Sequence, residues 1–388
     1  MARTAASAPA RSAGHHSRLN RAQAGAGWLF VAPMVVVLGI FLFLPVLMAA
    51  WVSVSDWNGR GAPWAPGVNF VGGRNYADVL GGQGLAARDF GVSIRNNLYY
   101  VILVVPIQTA LSLVLAFLVN KRALRAKGFY RTAFYFPSVT SSVAITVLWL
   151  FLFSASGAVN AVLGWFSING PNWFADPDGL IHLMLGGGDG PDWLQAPGLF
   201  GISGWEWLAG PSVAMTAFIL MAVFTTSGTF MLLFLASLQA IGEETDEAAM
   251  VDGANAWQRF RYVTLPMLRP TIFTVLTLGT IGTWQVFDQI YTGTRGGPAK
   301  TTLTPAYLSY DAAFVSQDWG RGAAIAFVLF AIIVAFTALQ RLILGRDNDR
   351  TSRRIERARL QATAQTAAHT VPGGSAAGPT IGSSDGPS

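Results

Sequence analysis

The chain has 388 residues, of which 52% are apolar and 12% charged, with no cysteine and a formal net charge of +6. Soluble domains carry about 25% charged residues, so this is the composition of a membrane protein, and the lack of any thiol excludes disulfides, thiolate chemistry and a lipid-modified cysteine. A basic balance points to nucleic acid only when the charges form one patch, so their positions have to decide.

Residues 1–27 combine Ala, Ser, Gly and His with Arg3, Arg11, Arg18 and Arg21, which cannot build a core, and are expected to form a disordered cytoplasmic tail. Residues 28–52 are the first charge-free apolar run. At 1.5 Å per residue such a run can cross a hydrocarbon layer of about 30 Å. It exceeds a signal-peptide core and shows no small-x-small cleavage site, so it is expected to be a retained span. Residues 56–95 are rich in Gly and Asn and should form a solvent-facing loop. The second span is expected at 96–120, followed by a basic turn with Lys121, Arg122, Arg125, Lys127 and Arg131. The third, 132–153, carries the hydroxyl cluster Ser138, Thr140, Ser141 and Ser142.

The next segment, 154–211, has no Lys or Arg, five acids and many aromatic residues, including Trp165, Phe166, Trp173, Phe174, Trp193, Trp205 and Trp207. Such rings favour a membrane interface, so the segment should lie partly along the outer surface as short helices, with docking of a solute-binding protein as its functional alternative. Further spans are expected at 212–240, 271–292 and 322–344, with a polar cytoplasmic loop at 241–270. A basic stub and a disordered cytoplasmic tail follow over 347–388.

With the N-terminus inside, the cytoplasmic segments, counting Arg341 with the last of them, hold 19 of the 26 basic residues. The positive-inside rule therefore places both termini and the 241–270 loop in the cytoplasm. Positive charge spread over membrane-proximal segments faces anionic lipid, so lipid and not nucleic acid is the expected polyanionic partner.

The loop at 241–270 carries the most specific pattern. Gly242 precedes Glu243, Glu244, Asp246 and Glu247, acids that favour the start of a helix. Ala248 and Ala249 keep one side slim, Gly253 permits a turn, and Pro266 and Pro270 punctuate the entry to the next span. The complete spacing runs Glu247-Ala248-Ala249, three residues, Gly253, nine residues, Val263, one residue, Leu265-Pro266. It resembles the cytoplasmic loop of the membrane subunits of bacterial ABC importers, with Val263 where isoleucine is more usual. Phe136-Pro-Ser-Val-Thr-Ser-Ser142 with Trp149, Gly170-Pro-Asn-Trp173, Gln285-Val-Phe-Asp-Gln-Ile-Tyr291 and Gly296-Gly-Pro298 resemble the carbohydrate branch, the maltose and glycerol-phosphate type permeases.

That resemblance covers about residues 91–344. It implies an all-α polytopic membrane protein with the six transmembrane helices of the type I ABC importer permease fold and a cytoplasmic coupling helix. Glu247, Ala248, Ala249, Asp252, Gly253, Leu265 and Pro266 would then couple to a separate ATPase. It also implies a second homologous permease, two cytoplasmic ATPase subunits and an extracytoplasmic solute-binding protein. The implied location is the bacterial cytoplasmic (inner) membrane.

Polar groups within spans are costly in lipid and should face a path or one another. Trp284, Gln285, Asp288, Gln289 and Tyr291 are the clearest such group, and in a continuous helix Trp284, Asp288 and Tyr291 share one face. A ring that stacks on a sugar beside groups that bond hydroxyls is the chemistry a polyol needs. The alternative is a hydrated Asp288 paired with Arg295, with the rings in an interfacial belt. Asn96, Asn97 and Gln108 on the second span are further path candidates, or bridges between helices.

No bond chemistry is expected of this chain, and no catalytic, cofactor or metal site. Residues 293–301 look like a phosphate loop, but that pattern needs glycines where the chain has Ala299 and Thr294. His15, His16, His182 and His369 show no metal or triad spacing. ATP would be hydrolysed by the partner subunit. Two other classes stay open: a permease of the same type for a non-sugar solute such as a polyamine, phosphate or metal, and a secondary transporter, for which no internal repeat is found.

Overall fold

The computed structural model describes residues 13–81, 84–121, 124–186 and 190–343. The expectation for 347–388 lies outside the described residues. Among the described residues the chain is helical, with isolated β-bridges in place of strands.

Helix α1 starts at Ala13, runs to Leu38, passes a π turn at Gly39–Phe43 and continues through Leu44–Ser53. Part of the expected disordered tail is thus helical, because its Ala and Arg residues are good helix formers and an existing span supplies the nucleus. Pro45 cannot donate a backbone bond, and the π turn just before it absorbs the defect. The apolar stretch Ala26–Ser53 is 0% buried over its most apolar window, so most of α1 stands away from the bundle, while Val52 and Ser53 in its last turn are buried.

Helix α2 spans Leu85–Asn120. Its 36 residues extend about 54 Å, longer than a hydrocarbon layer of about 30 Å is thick, so its first turns can project beyond such a layer. The loop expected up to residue 95 therefore ends earlier, with a short helix at Arg74–Leu80 and the first turns of α2. The third span is likewise not continuous: α3, Lys127–Val139, and α4, Ser142–Leu152, meet at 97°. Pro137 weakens the ladder there, and the Ser138 and Thr140 hydroxyls bond the carbonyls of Tyr135 and Phe136. The segment 154–211 contains a string of short helices at Ala158–Trp165, Leu180–Met184, Asp192–Gln195 and Gly204–Trp207. It is clamped to the projecting end of α2 by Arg88–Glu206 at 3.2 Å and by Tyr99, whose hydroxyl donates to the Trp207 carbonyl at 2.5 Å.

Helix α5, Val213–Ala240, is the axis of the bundle, with 61% of its most apolar window buried. Ser212 caps its start by accepting from the Met215 amide. Gly228 lets α3 approach so closely that a Cβ there would lie 2.2 Å from the Phe134 carbonyl oxygen. The loop then forms α6, Glu243–Val251, and α7, Ala256–Met267. A 65° bend leads to the fifth span, α8 (Arg269–Trp284) followed by α9 (Asp288–Gly293). Helix α10, Pro305–Tyr310, with a π turn at Asp311–Val315, precedes α11, Trp319–Ile343.

Two apolar cores stack along α5. The one toward the start of α5 joins Tyr100 and Val104 of α2 to Met215, Phe218 and Met221 of α5 and Ile290 of α9. The one toward its end joins Ala116, Val119, Phe234, Leu238, Leu268 and Val275. Between them α5 carries the polar run Thr225-Thr226-Ser227-Gly228-Thr229.

Candidate functional site

Two constellations stand out, one at the α6–α7 turn and one at the polar belt between the cores. At the first, Gly253 takes φ +80°, its N–H donates to the Met250 carbonyl, and the Ala254 N–H donates to the Ala249 carbonyl, both at 3.0 Å. This pair of bonds satisfies the last carbonyls of α6 and needs a left-handed residue at position 253. Two residues on, Asn255 opens α7 with reciprocal bonds, its side chain accepting from the Gln258 amide at 2.9 Å while Gln258 accepts from the Asn255 amide at 2.8 Å. Arg259 of α7 lies 3.5 Å from Asp246 of α6. The result is a rigid helix–turn–helix.

Glu247, Ala248, Asp252 and Gly253 are exposed on it and Ala249 is half-buried. Val251, Trp257 and Tyr262 expose apolar surface beside them, at 88%, 67% and 73%. Leu265 and Pro266 are half-buried near the bend, at which Leu268 is wholly buried in the second of the two cores. Phe260 packs edge-on against Phe117 of α2 at 5.3 Å, holding the loop against the bundle.

The second constellation exists because the fifth span breaks at Gln285-Val286-Phe287. A break frees backbone carbonyls, which must find partners in a membrane. Asn97 Nδ2 donates to the Trp284 carbonyl at 3.3 Å, and Thr304 Oγ1 donates to the Val286 carbonyl at 3.1 Å. The break turns α9 so that Asp288 and Gln289, with Gln285, line a cleft of about 240 Å³ with Gln108, Thr226 and Thr283. A second cavity of about 270 Å³ shares Thr225, Thr226, Phe230 and Gln289 and reaches Ser138, Thr140 and Ser142 at the α3–α4 bend. The two adjoin at these shared residues, which places a cleft with both polar and apolar lining between the apolar cores.

Gln108 sits at its floor, only 1% exposed, where Gly279 leaves room for it: a Cβ at 279 would lie 2.3 Å from Gln108 Nε2. Thr226 Oγ1 lies 2.5 Å from Gln108 Oε1 and 2.7 Å from the Ala222 carbonyl. One hydroxyl proton can serve one of these acceptors, so the amide can turn either its oxygen or its nitrogen toward Thr226 and present the other to the cleft.

The candidates from the sequence thus separate. Gln108, Gln285, Asp288 and Gln289 are brought together on the cleft. Trp284 is not with them: it is 1% exposed and packs against Phe336 of α11 at 5.1 Å, because the break ends the helix on which it was to share a face with Asp288. Tyr291 lies in an outer ring cluster with Phe287 and Tyr310. Asn97 holds the break, and Asn96 donates to the carbonyls of Lys300 and Leu303. Among the described residues no ion pair joins Asp288 to Arg295. The threonines of α5 and α8 were not among the candidates. Their signal was the unbroken polar run at 225–229 inside an apolar span.

A helical membrane bundle with a helix–turn–helix at one end and a cleft carrying amides, hydroxyls and a carboxylate at a broken span is the architecture of a transport subunit. The chain belongs to the family described as binding-protein-dependent transport system inner membrane components, which matches residues 108–346. It is 30% identical over 317 residues to the lactose transport system permease protein of Rhizobium radiobacter, covering 81% of this chain and 92% of that one. It is also 30% identical to the trehalose/maltose transport system permease protein of Thermococcus litoralis (83% and 94% covered) and to the sn-glycerol-3-phosphate transport system permease protein of Agrobacterium fabrum (81% and 92%). Its fold matches a crystal structure of a bacterial ABC transporter involved in the import of the acidic polysaccharide alginate, with a TM-score of 0.63 at 20% identity over 85% of this chain and 99% of that one. This is the type I importer permease fold. A structure of the bacterial alginate ABC transporter in complex with an alginate pentasaccharide-bound periplasmic protein matches with a TM-score of 0.62 at 18% identity, covering 84% and 95%.

Proposed function

We propose that this permease passes a sugar or sugar-like solute from an extracytoplasmic binding protein to the cytoplasm through the cleft at the broken fifth span. The observation that carries the reading is that cleft, where Gln108, Thr226, Thr283, Gln285, Asp288 and Gln289 converge between two apolar cores. Amides, hydroxyls and one carboxylate suit a neutral polyol, since each can donate to or accept from hydroxyl groups. The saccharide solutes named for the relatives support the same class.

In this reading the chain binds no cofactor and hydrolyses no ATP. Separate ATPase subunits do so, seated on α6 through Glu247, Ala248, Ala249, Asp252 and Gly253. A displacement of α6 passes to α7 through the Asp246–Arg259 pair, and across the Leu268 bend to α8, which carries Gly279 and Thr283 into the cleft and ends at Gln285. Both termini and α6 lie in the cytoplasm. A second permease covers the bare apolar stretch of α1, and the binding protein docks on the outer face near 154–211.

The test is ATP-dependent uptake by proteoliposomes holding the proteins that co-purify with the chain. Recovery of an ATPase, a second permease and a saccharide-binding protein, with uptake that Asp288→Asn lowers about 10- to 100-fold at unchanged assembly, supports the reading, the loss being that of hydrogen bonds to a charged group. Uptake that persists without ATP and collapses without an ion gradient would replace it with secondary transport.

A further inference from the structure

Beyond the cleft, six aromatic rings run outward without a gap. Phe287, which lines the cleft, lies 5.4 Å from Tyr291 and 5.3 Å from Tyr310 between ring centroids. Tyr310 stacks on Phe314 at 5.0 Å and 24°, a pairing four residues apart that continues through the π turn. Phe314 meets Trp319 at 4.6 Å, and Trp319 meets Trp57 at 5.3 Å. The row ends over an outer cavity of about 380 Å³ whose far wall is Met48, Ala49 and Val52 of α1. Tyr291 and Phe314 expose 39% and 57% of their surface.

We propose that this row is a second saccharide subsite, an aromatic track on which a pyranose ring of the solute stacks outside the cleft. The inference rests on the saccharide reading above and deepens it by naming the ring as what is recognised. Three features fix the occupant. Phe287 belongs to both the row and the cleft lining, so a ring leaving Phe314 and Tyr310 meets the cleft without crossing another layer. A pyranose has a C–H-rich face, which an aromatic ring accepts, and a hydroxyl rim, which needs polar edges.

The row supplies such edges. Tyr291 and Tyr310 carry hydroxyls on rings that meet edge to face at 5.2 Å, and Asp311 and Arg295 act electrostatically on the Tyr307 and Tyr310 hydroxyls. An acyl chain laid along the row would cover the Tyr291 and Tyr310 hydroxyls without offering them a partner.

The natural chain has no cysteine, so a single introduced thiol is its only one. Val315→Cys, at a position 64% exposed beside Phe314, is placed in the complete importer in proteoliposomes, and alkylation by an impermeant maleimide is timed with maltose, lactose or glycerol outside. A disaccharide at twice its Kd should slow alkylation about threefold, by mass action. Glycerol should not protect, and adding Phe314→Leu should weaken the disaccharide about tenfold and remove the protection. Absent protection, equal protection by glycerol, or protection that survives Phe314→Leu overturns the track. An introduced thiol that never reacts means that the second permease covers the face, which also overturns it. ATP-driven disaccharide uptake by the same proteoliposomes reports separately on the saccharide reading: if uptake is present and protection absent, only the track falls.

Discussion

Replacing Gly253 by alanine isolates backbone conformation from contact. The residue holds φ +80°, while a Cβ placed on it would meet no atom of this chain within 4 Å. The cost within the chain is therefore the left-handed conformation alone, about 1–2 kcal/mol for a residue with a side chain. That conformation aims the Gly253 and Ala254 amides at the Met250 and Ala249 carbonyls, so the penalty falls on the last turn of α6 and on the angle between α6 and α7. One to two kcal/mol shifts a local equilibrium about 5- to 30-fold. Transport-linked ATPase activity should fall by that order in Gly253→Ala, with the melting temperature of the detergent-solubilised chain unchanged. Gly253→Asn decides between causes, because asparagine is larger than alanine but visits the left-handed region more readily. The expected activity order is Gly, Asn, Ala, Val. If Asn proves worse than Ala, steric exclusion of the ATPase sets the requirement at 253, and the conformational argument fails.

Two further substitutions follow from the broken span. Asn97→Ala strands the Trp284 carbonyl in a buried position and should destabilise the chain by about 1–3 kcal/mol, read as a lower melting temperature with the order of solute preference unchanged. Trp284→Phe keeps an aromatic ring against Phe336 away from the cleft, so uptake should stay within about twofold of the natural chain while stability drops by about 1 kcal/mol or less; a selective loss of uptake would return Trp284 to the solute path.

What could be read from the sequence was what short-range chemistry controls. The α6–α7 turn is spelled out between Gly242 and Pro266, because a left-handed glycine, a helix start and a proline bend each act over a few residues. Apolar runs likewise point to long helices, of which Leu85–Asn120 and Val213–Ala240 are two. The breaks at 140–141 and 285–287 were not legible, because hydropathy averaged along a span is blind to direction. The groups that hold the fifth-span break are remote in sequence: Asn97 lies 187 positions from Trp284, and Thr304 lies 18 from Val286. Trp284 was misplaced for the same reason, since a periodicity of 3.6 carries no information past a break. The threonines of α5 were inconspicuous because Thr225 and Thr226 bond the carbonyls of Met221 and Ala222 on their own helix, which lets threonine sit in an apolar span without disturbing it.

The bend at Leu268 ties the two ends of the molecule together. Leu268 is wholly buried among Phe234, Leu238 and Val275, and α7 and α8 leave it at 65°. A lever of this kind transmits motion only if its pivot is packed: a loose pivot lets α7 swing while α8 stays still. Leu268→Ala removes three carbon atoms from that packing and should cost about 2–5 kcal/mol, of which the cavity term depends on how far α5 can close onto α8. The expected phenotype differs from that of Gly253→Ala. There the ATPase engages a distorted α6, so hydrolysis and uptake fall together. In Leu268→Ala, α6 and its turn are untouched, so ATPase subunits bind and hydrolyse while uptake per ATP declines. Measuring both quantities on the same proteoliposomes separates the two. Equal loss of hydrolysis and uptake in Leu268→Ala, at normal assembly, would show that the signal from α6 reaches the cleft by another route, with the Phe117–Phe260 contact to α2 as the next candidate.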